Sequence, residues 1–259
     1  MQQLPVALLG PDDPPSFMTF NEKGKAPLLL LCDHASKAVP KALGDLGIPA
    51  SELSRHIGWD IGALDAAIEL SEVLDAPLVA SGYSRLVIDC NRWPGGEGST
   101  PEMSDGTEVP ANKGLTKEQV EGRAAACFWP YHREVDRLLD AMSAGDRRIC
   151  MLVMHSFTPV MKGFVRPWHV GVLWNDDARL PEPLLAELRR DPSLVVGDNE
   201  PYSARASYEY TLTAHARPRA IPHCSLEVRQ DLMCSPLEAR AWGRRLAAPI
   251  RTAVAAALV

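Results

Sequence analysis

Ala26-Pro27-Leu28-Leu29-Leu30-Leu31-Cys32-Asp33-His34-Ala35-Ser36 is the stretch whose reading decides the fold. Residues 26–32 are apolar without interruption. They lack the polar–apolar alternation of a half-exposed strand, so the run reads as a strand covered on both faces. An acid and a histidine follow at once. Open α/β sheets build their sites beyond the carboxyl ends of strands, which makes Asp33 and His34 the first candidates for chemistry.

Outward from this strand, short apolar runs recur at residues 77–81, 85–90, 148–154, 169–174, 193–197 and 224–228. Helical spacing of apolar residues separates them. Ile61, Leu64 and Ile68, with Ala63, Ala67, Leu70 and Leu74, share a face over residues 60–74. Residues 116–142 and 184–190 read as further helices. Ser235-Pro236-Leu237-Glu238 opens a last one with a capping box and a proline at its first position. Strands interleaved with helices predict an α/β fold, a mixed and mostly parallel sheet sandwiched between helices. No repeat or linker divides the chain, so residues 1–259 are expected to form a single catalytic domain. Residues 93–112, rich in glycine and proline, read as a long loop, either a lid or a surface excursion.

Composition narrows the function classes. Apolar residues at 46% and charged residues at 23% are ordinary for a globular protein, which argues against disorder. A net charge of −6 with scattered arginines offers no basic face, so no nucleic-acid partner is expected. No apolar run is long enough for a membrane span, and no basic segment precedes an apolar one near the N-terminus. A cytoplasmic protein without a membrane partner is expected. The six cysteines form no C-x-x-C pair and lie largely in apolar runs, as buried free thiols do. Motifs for a serine nucleophile elbow, dinucleotide or phosphate loops, and the H-E-x-x-H zinc helix are all missing.

What remains is polar residues at strand ends: Asp33-His34, His155-Ser156 and Glu227. A catalytic zinc takes about three protein ligands and lowers the pKa of its water to about 7. His34 and His155 suit two of those places, and an Asp or Glu the third. Each residue has a plainer use. A single strand-end histidine is commonly structural, Asp60 stands where an N-cap belongs, and Glu227 alternates with apolar neighbours as a buried, arginine-paired acid does. Arg85, Asn91 and Arg92 surround the 85–90 run. Arg85 can steady an oxyanion or pair internally with Asp89 or Asp33.

Taken in order, His34-Ala35-Ser36, Trp59-Asp60, Tyr83-Ser84-Arg85 through Asn91-Arg92, Trp129-Pro130-Tyr131-His132, His155-Ser156 and Leu226-Glu227 resemble the N-formylglutamate amidohydrolase family. The resemblance implies the zinc-exopeptidase, phosphorylase/hydrolase-like fold, one zinc ion, and hydrolysis of a small-molecule substrate, N-formyl-L-glutamate, to glutamate and formate. By position it implies His34, Asp60 and His155 as metal ligands, with Asp33 or His56 as substitutes for Asp60, and Glu227 as general base. Asn91-Arg92 is similar to the substrate-gripping pair of aspartoacylases, where an earlier arginine, here Arg85, polarises the acyl oxygen. Arg92 and Arg229 are expected at substrate carboxylates, and Tyr202 in the pocket wall. His34-Ala35-Ser36 departs from the His-Pro-Gly usual in this family. A different metal-dependent acyl hydrolase, or an anion-binding relative without catalysis, are the competing readings.

Overall fold

The structure is a computed structural model, which describes residues 8–203 and 209–259. Seven strands form its main sheet: β1 Phe17–Phe20, β2 Leu28–Cys32, β3 Leu78–Ser81, β4 Cys150–Phe157, β5 Val170–Leu173, β6 Val196–Asp198 and β7 His223–Arg229. They lie in the order β1-β3-β2-β4-β7-β5-β6. β3, β2, β4 and β7 run parallel, β1 pairs antiparallel with β3, and β5 pairs antiparallel with β7 and parallel with β6. The expected α/β sandwich with a mixed, mostly parallel sheet is therefore what the chain forms.

Every residue of β2 and β4 is buried, which explains the unbroken apolar run. Leu28, Leu30 and Cys32 pack in one core layer, while Leu29 and Leu31 pack in the other. The first layer lies under helices α1 Ala63–Leu74, α4 Pro181–Leu188 and α5 Pro236–Ala257. The second lies under α3 Trp129–Met142 and the π-helical turn at Ala124–Phe128, which joins it to α2 Lys117–Arg123. In α5, Ala239, Trp242, Leu246, Ile250 and Ala253 form the buried stripe, and the Ser235–Glu238 capping box is present. Gly243 in that stripe lets α5 press on α1: a Cβ there would stand 2.6 Å from the carbonyl oxygen of Ala66.

Three expectations need correction. Residues 85–90 are buried but form turns instead of a strand. Two of their carbonyls are satisfied by side chains: Asn112 Nδ2 donates to Leu86 at 2.9 Å and Arg123 Nη1 to Val87 at 3.0 Å. An apolar run reports burial, and these side chains replace the ladder partners a strand would need. The edge strand β1 carries partly exposed residues and gave no buried-strand signal. Within residues 93–112, the loop contains a hairpin of Met103–Ser104 and Thr107–Glu108.

Candidate metal centre and acyl pocket

The site forms where β2, β4 and β7 end. His34 stands two residues beyond the end of β2, and its carbonyl accepts the Asp60 amide at 2.9 Å, which fixes the turn carrying Asp60 beside it. Asp60 is not the N-cap of α1; Gly62 takes that place with φ of 79°. The carboxylate is thereby free for the site. His155 lies on β4 in register with Glu227 on β7, and neighbouring in-register side chains of parallel strands share a sheet face.

One oxygen of Asp60 joins the two imidazoles. Oδ2 lies 2.8 Å from His155 Nδ1 and 3.3 Å from His34 Nδ1, and also accepts the Ser156 amide at 3.3 Å. All three side chains are buried, and their ligand atoms fall within 4.8 Å of one another. Two imidazole nitrogens and a carboxylate oxygen are a donor set that suits a borderline divalent ion such as zinc. His34, Asp60 and His155 could thus hold a metal ion. Asp33 and His56, the substitutes for Asp60, lie elsewhere. Asp33 accepts the Tyr131 hydroxyl at 2.7 Å and faces His155 Nε2 at 3.6 Å, on the far side of that ring, while His56 stands 3.3 Å from Asp105.

The opposite ring nitrogens face carboxylates. His34 Nε2 lies 2.7 Å from Asp89 Oδ1, and Asp89 Oδ2 takes a two-pronged contact from Arg85 at 3.0 and 2.7 Å. Such outer carboxylates orient metal-ligating histidines and raise their basicity. The Arg85–Asp89 pairing is one of the alternatives open from sequence. Arg85 also comes within 3.5 Å of Asp60 Oδ1.

The electrostatics follow from burial and charge. Burial and Arg85 pull the His34 pKa down, but Asp89 and Asp60 outweigh them and leave it raised. For His155 burial again opposes, yet the Asp60 contact, with Glu227 and Asp33, pushes it up to about 10. Asp60 is driven well below the carboxylate range: burial would raise it, but the two histidines prevail. Glu227 goes the other way. Burial, with help from Asp60 and Glu209, pushes it up to about 7 against the pull of His155 and His34. Its Oε2 is buried without a hydrogen-bond partner.

A cavity of about 590 Å³ opens over these groups. Arg85, Asn91, Arg92, Tyr202 and Glu227 line it, as do Gly98, Pro101, Ser104 and Asp105 of the long loop. Asn91 also anchors the neighbouring chain, accepting the Thr211 amide on Oδ1 at 3.0 Å. Arg229 is not among the lining residues; its guanidinium binds Asp231 at 2.8 Å and the Arg166 carbonyl at 3.2 Å. A basic residue next to a strand-end acid promised a substrate contact, but its nearest anion is two residues away in sequence. Glu209 was missed: it lines the cavity with a buried, unpartnered Oε2, and nothing in Tyr208-Glu209-Tyr210 marks it. The supporting role of Asp89 toward His34 was likewise illegible, although the residue was visible as a partner of Arg85.

The profile of the N-formylglutamate amidohydrolase family matches residues 26–234. Gene product Atu2144 from Agrobacterium tumefaciens is similar over 96% of this chain and 98% of its own, with 33% identity and a TM-score of 0.92. The N-formylglutamate amidohydrolase from Ralstonia eutropha JMP134 shares the fold, with a TM-score of 0.61 at 19% identity over 93% of this chain and 97% of that one. No curated protein matches the sequence.

Proposed function

This chain belongs to the N-formylglutamate amidohydrolase family, and on that premise we propose a zinc-dependent amidohydrolase that removes a small N-acyl group, formyl first, from an acidic amino acid. One observation carries the reading: His34, Asp60 and His155 converge beside an unpartnered Glu227 oxygen at the floor of a cavity sized for a small molecule. A zinc ion held by those three side chains would supply Lewis acidity at the acyl oxygen and acidify water.

The chain's own residues account for the rest. Water adds to the acyl carbon as the carbon–nitrogen bond breaks, and one proton must move from water oxygen to the departing nitrogen. Glu227, with its pKa near 7, is suited both to accept that proton and to give it up. Arg85, on the cavity wall, is the cation for the negative charge growing on the acyl oxygen, while Asp89 holds it in place. Asn91 and Arg92 receive the α-carboxylate, and Tyr202 closes the pocket. The cytoplasm is the compartment this chemistry suits.

The test is metal analysis of the purified protein beside a formate-release assay on a panel of N-formyl, N-acetyl and peptide substrates. About one zinc per chain with formate release from N-formylglutamate is expected. Turnover of acetylated or peptide substrates alone would assign a different metal-dependent acyl hydrolase. Ligand binding without any turnover would assign a non-catalytic anion binder.

A further inference from the structure

Arg166 is 5% exposed and is not itself among the residues lining the cavity, but three that are, Phe157, Thr158 and Tyr202, hold its guanidinium. Buried cations are normally paired with acids, because an uncompensated charge in a low-dielectric interior is costly. Arg166 has no acidic partner among the described residues, unlike Arg85 with Asp89 and Arg229 with Asp231. What it has is a frame. Nη1 donates to the Thr158 carbonyl at 3.2 Å and to the Tyr202 hydroxyl at 3.1 Å. Its carbon centre lies 4.7 Å from the Tyr202 ring and 5.8 Å from the Phe157 ring, a cation held between aromatic faces. Nε and Nη2 have no hydrogen-bond partner among the described residues.

Phe157, Thr158 and Tyr202 all line the cavity above the metal centre. Because the Tyr202 oxygen accepts from Arg166, its own hydrogen remains available to donate. Tyr202 therefore offers an O–H to the cavity, and the guanidinium that backs it carries a positive charge with no anion to meet it among the described residues. The frame is braced from behind. Arg229 donates to the Arg166 carbonyl at 3.2 Å, and the Arg166 amide donates to Pro159 at 2.8 Å. The turn that carries Tyr202 is pressed on β5 at Gly171, where a Cβ would stand 1.9 Å from the Glu200 carbonyl oxygen.

We propose that Arg166 and Tyr202 form a second anion subsite, which takes the side-chain carboxylate of the acidic substrate. It rests on the amidohydrolase reading and deepens it, dividing the work so that Asn91 and Arg92 take the α-carboxylate and Arg166 selects the side chain. Arg229, expected from sequence at the substrate, positions this subsite instead.

The experiment compares zinc-loaded wild type, Arg166→Met, Arg166→Lys and Tyr202→Phe on N-formylglutamate, its side-chain amide N-formylglutamine and its α-amide N-formylisoglutamine. A site built for a charged partner rejects the neutral analogue strongly, so wild type should favour glutamate over glutamine by about 100-fold or more in kcat/KM. Arg166→Met should erase that preference through KM, leave glutamine turnover within about threefold, and keep the α-amide discrimination. Arg166→Lys should restore part of it, and Tyr202→Phe should lose about tenfold on glutamate only. An unchanged ratio in Arg166→Met, equal loss on all substrates, or loss that follows the α-carboxylate would overturn the subsite. If wild type hydrolyses no formyl amide, the reaction assignment fails, and calorimetry with glutarate decides the subsite separately. Wild-type binding at least about tenfold tighter than Arg166→Met upholds it, and equal or absent binding overturns it.

Discussion

His34 and His155 have ring centroids 5.0 Å apart, and so do His132 and His215. All four residues are buried to 4% exposure or less. Spacing and burial therefore do not separate the two pairs; the commitments of their nitrogens do. His132 Nε2 lies 2.8 Å from the Cys90 carbonyl and so carries the proton it donates, which leaves Nδ1 to accept from His215 at 2.8 Å. His215 Nδ1 reaches Asp136 Oδ1 at 2.8 Å, and every ring nitrogen of this stacked pair is used. In the other pair both Nδ1 atoms turn to one Asp60 oxygen, His155 Nε2 has no hydrogen-bond partner, and an open Glu227 oxygen lies in the same cavity. The shifts of the rings separate the pairs too. Burial, then His215, drives His132 well below the histidine range, whereas nearby acids hold His34 and His155 above it. A closed set of hydrogen bonds makes a brace. An open set makes a site.

The comparison is broken most forcefully by alanine. His34→Ala and His155→Ala should each abolish zinc binding and lower turnover by more than about 10³-fold, since three ligands are the minimum for a catalytic site. His132→Ala should keep its zinc and instead lose about 1–3 kcal/mol of stability, because the Cys90 carbonyl and His215 are left unpaired. Zinc content and urea denaturation of the three variants check both halves. A zinc-free His132→Ala that is still folded would erase the distinction.

Glu227→Gln sharpens it by separating metal from proton transfer. The variant should retain zinc while turnover falls by about 10²–10⁴-fold. Zinc lost along with activity would make Glu227 a ligand and not a proton carrier. Asp89→Asn weakens the support of both His34 and Arg85 and should lower zinc affinity by about 10–100-fold, read by competition with a chelator.

The smallest effect is on stability against pH. The native pKa of His132 lies below its unfolded value of about 6.5, so under that pH the unfolded chain takes up a proton that the native protein refuses. Stability from this residue is complete above about pH 6.5 and declines as pH falls, by up to about 1.4 kcal/mol per unit. Thermal unfolding between about pH 5 and 7 should show a shallower slope for His132→Gln than for wild type. Equal slopes would remove His132 as the source.

Much of this site was legible because strands covered on both faces write themselves as apolar runs, and the residue that follows such a run stands at the sheet's carboxyl edge. His34 was found in this way, and His155 and Glu227 by the same logic on later strands. The residues that escaped notice are those placed by turns. Leu86, Val87 and Ile88 mimic a strand because burial, not ladder pairing, sets their composition. Glu209 and Arg166 sit in segments without periodicity, where nothing local separates a buried charge from a solvated one.

The order of polar residues along the chain, the covered sheet and the family resemblance were determined by sequence alone, since each depends on local composition and spacing. Which carboxylate joins the two histidines, that Arg229 meets Asp231, and that Arg166 meets no acid among the described residues were decided only by tertiary structure. Those outcomes depend on distances between atoms far apart in the chain, and a charge acquires its role from the partners that folding brings within about 3–4 Å.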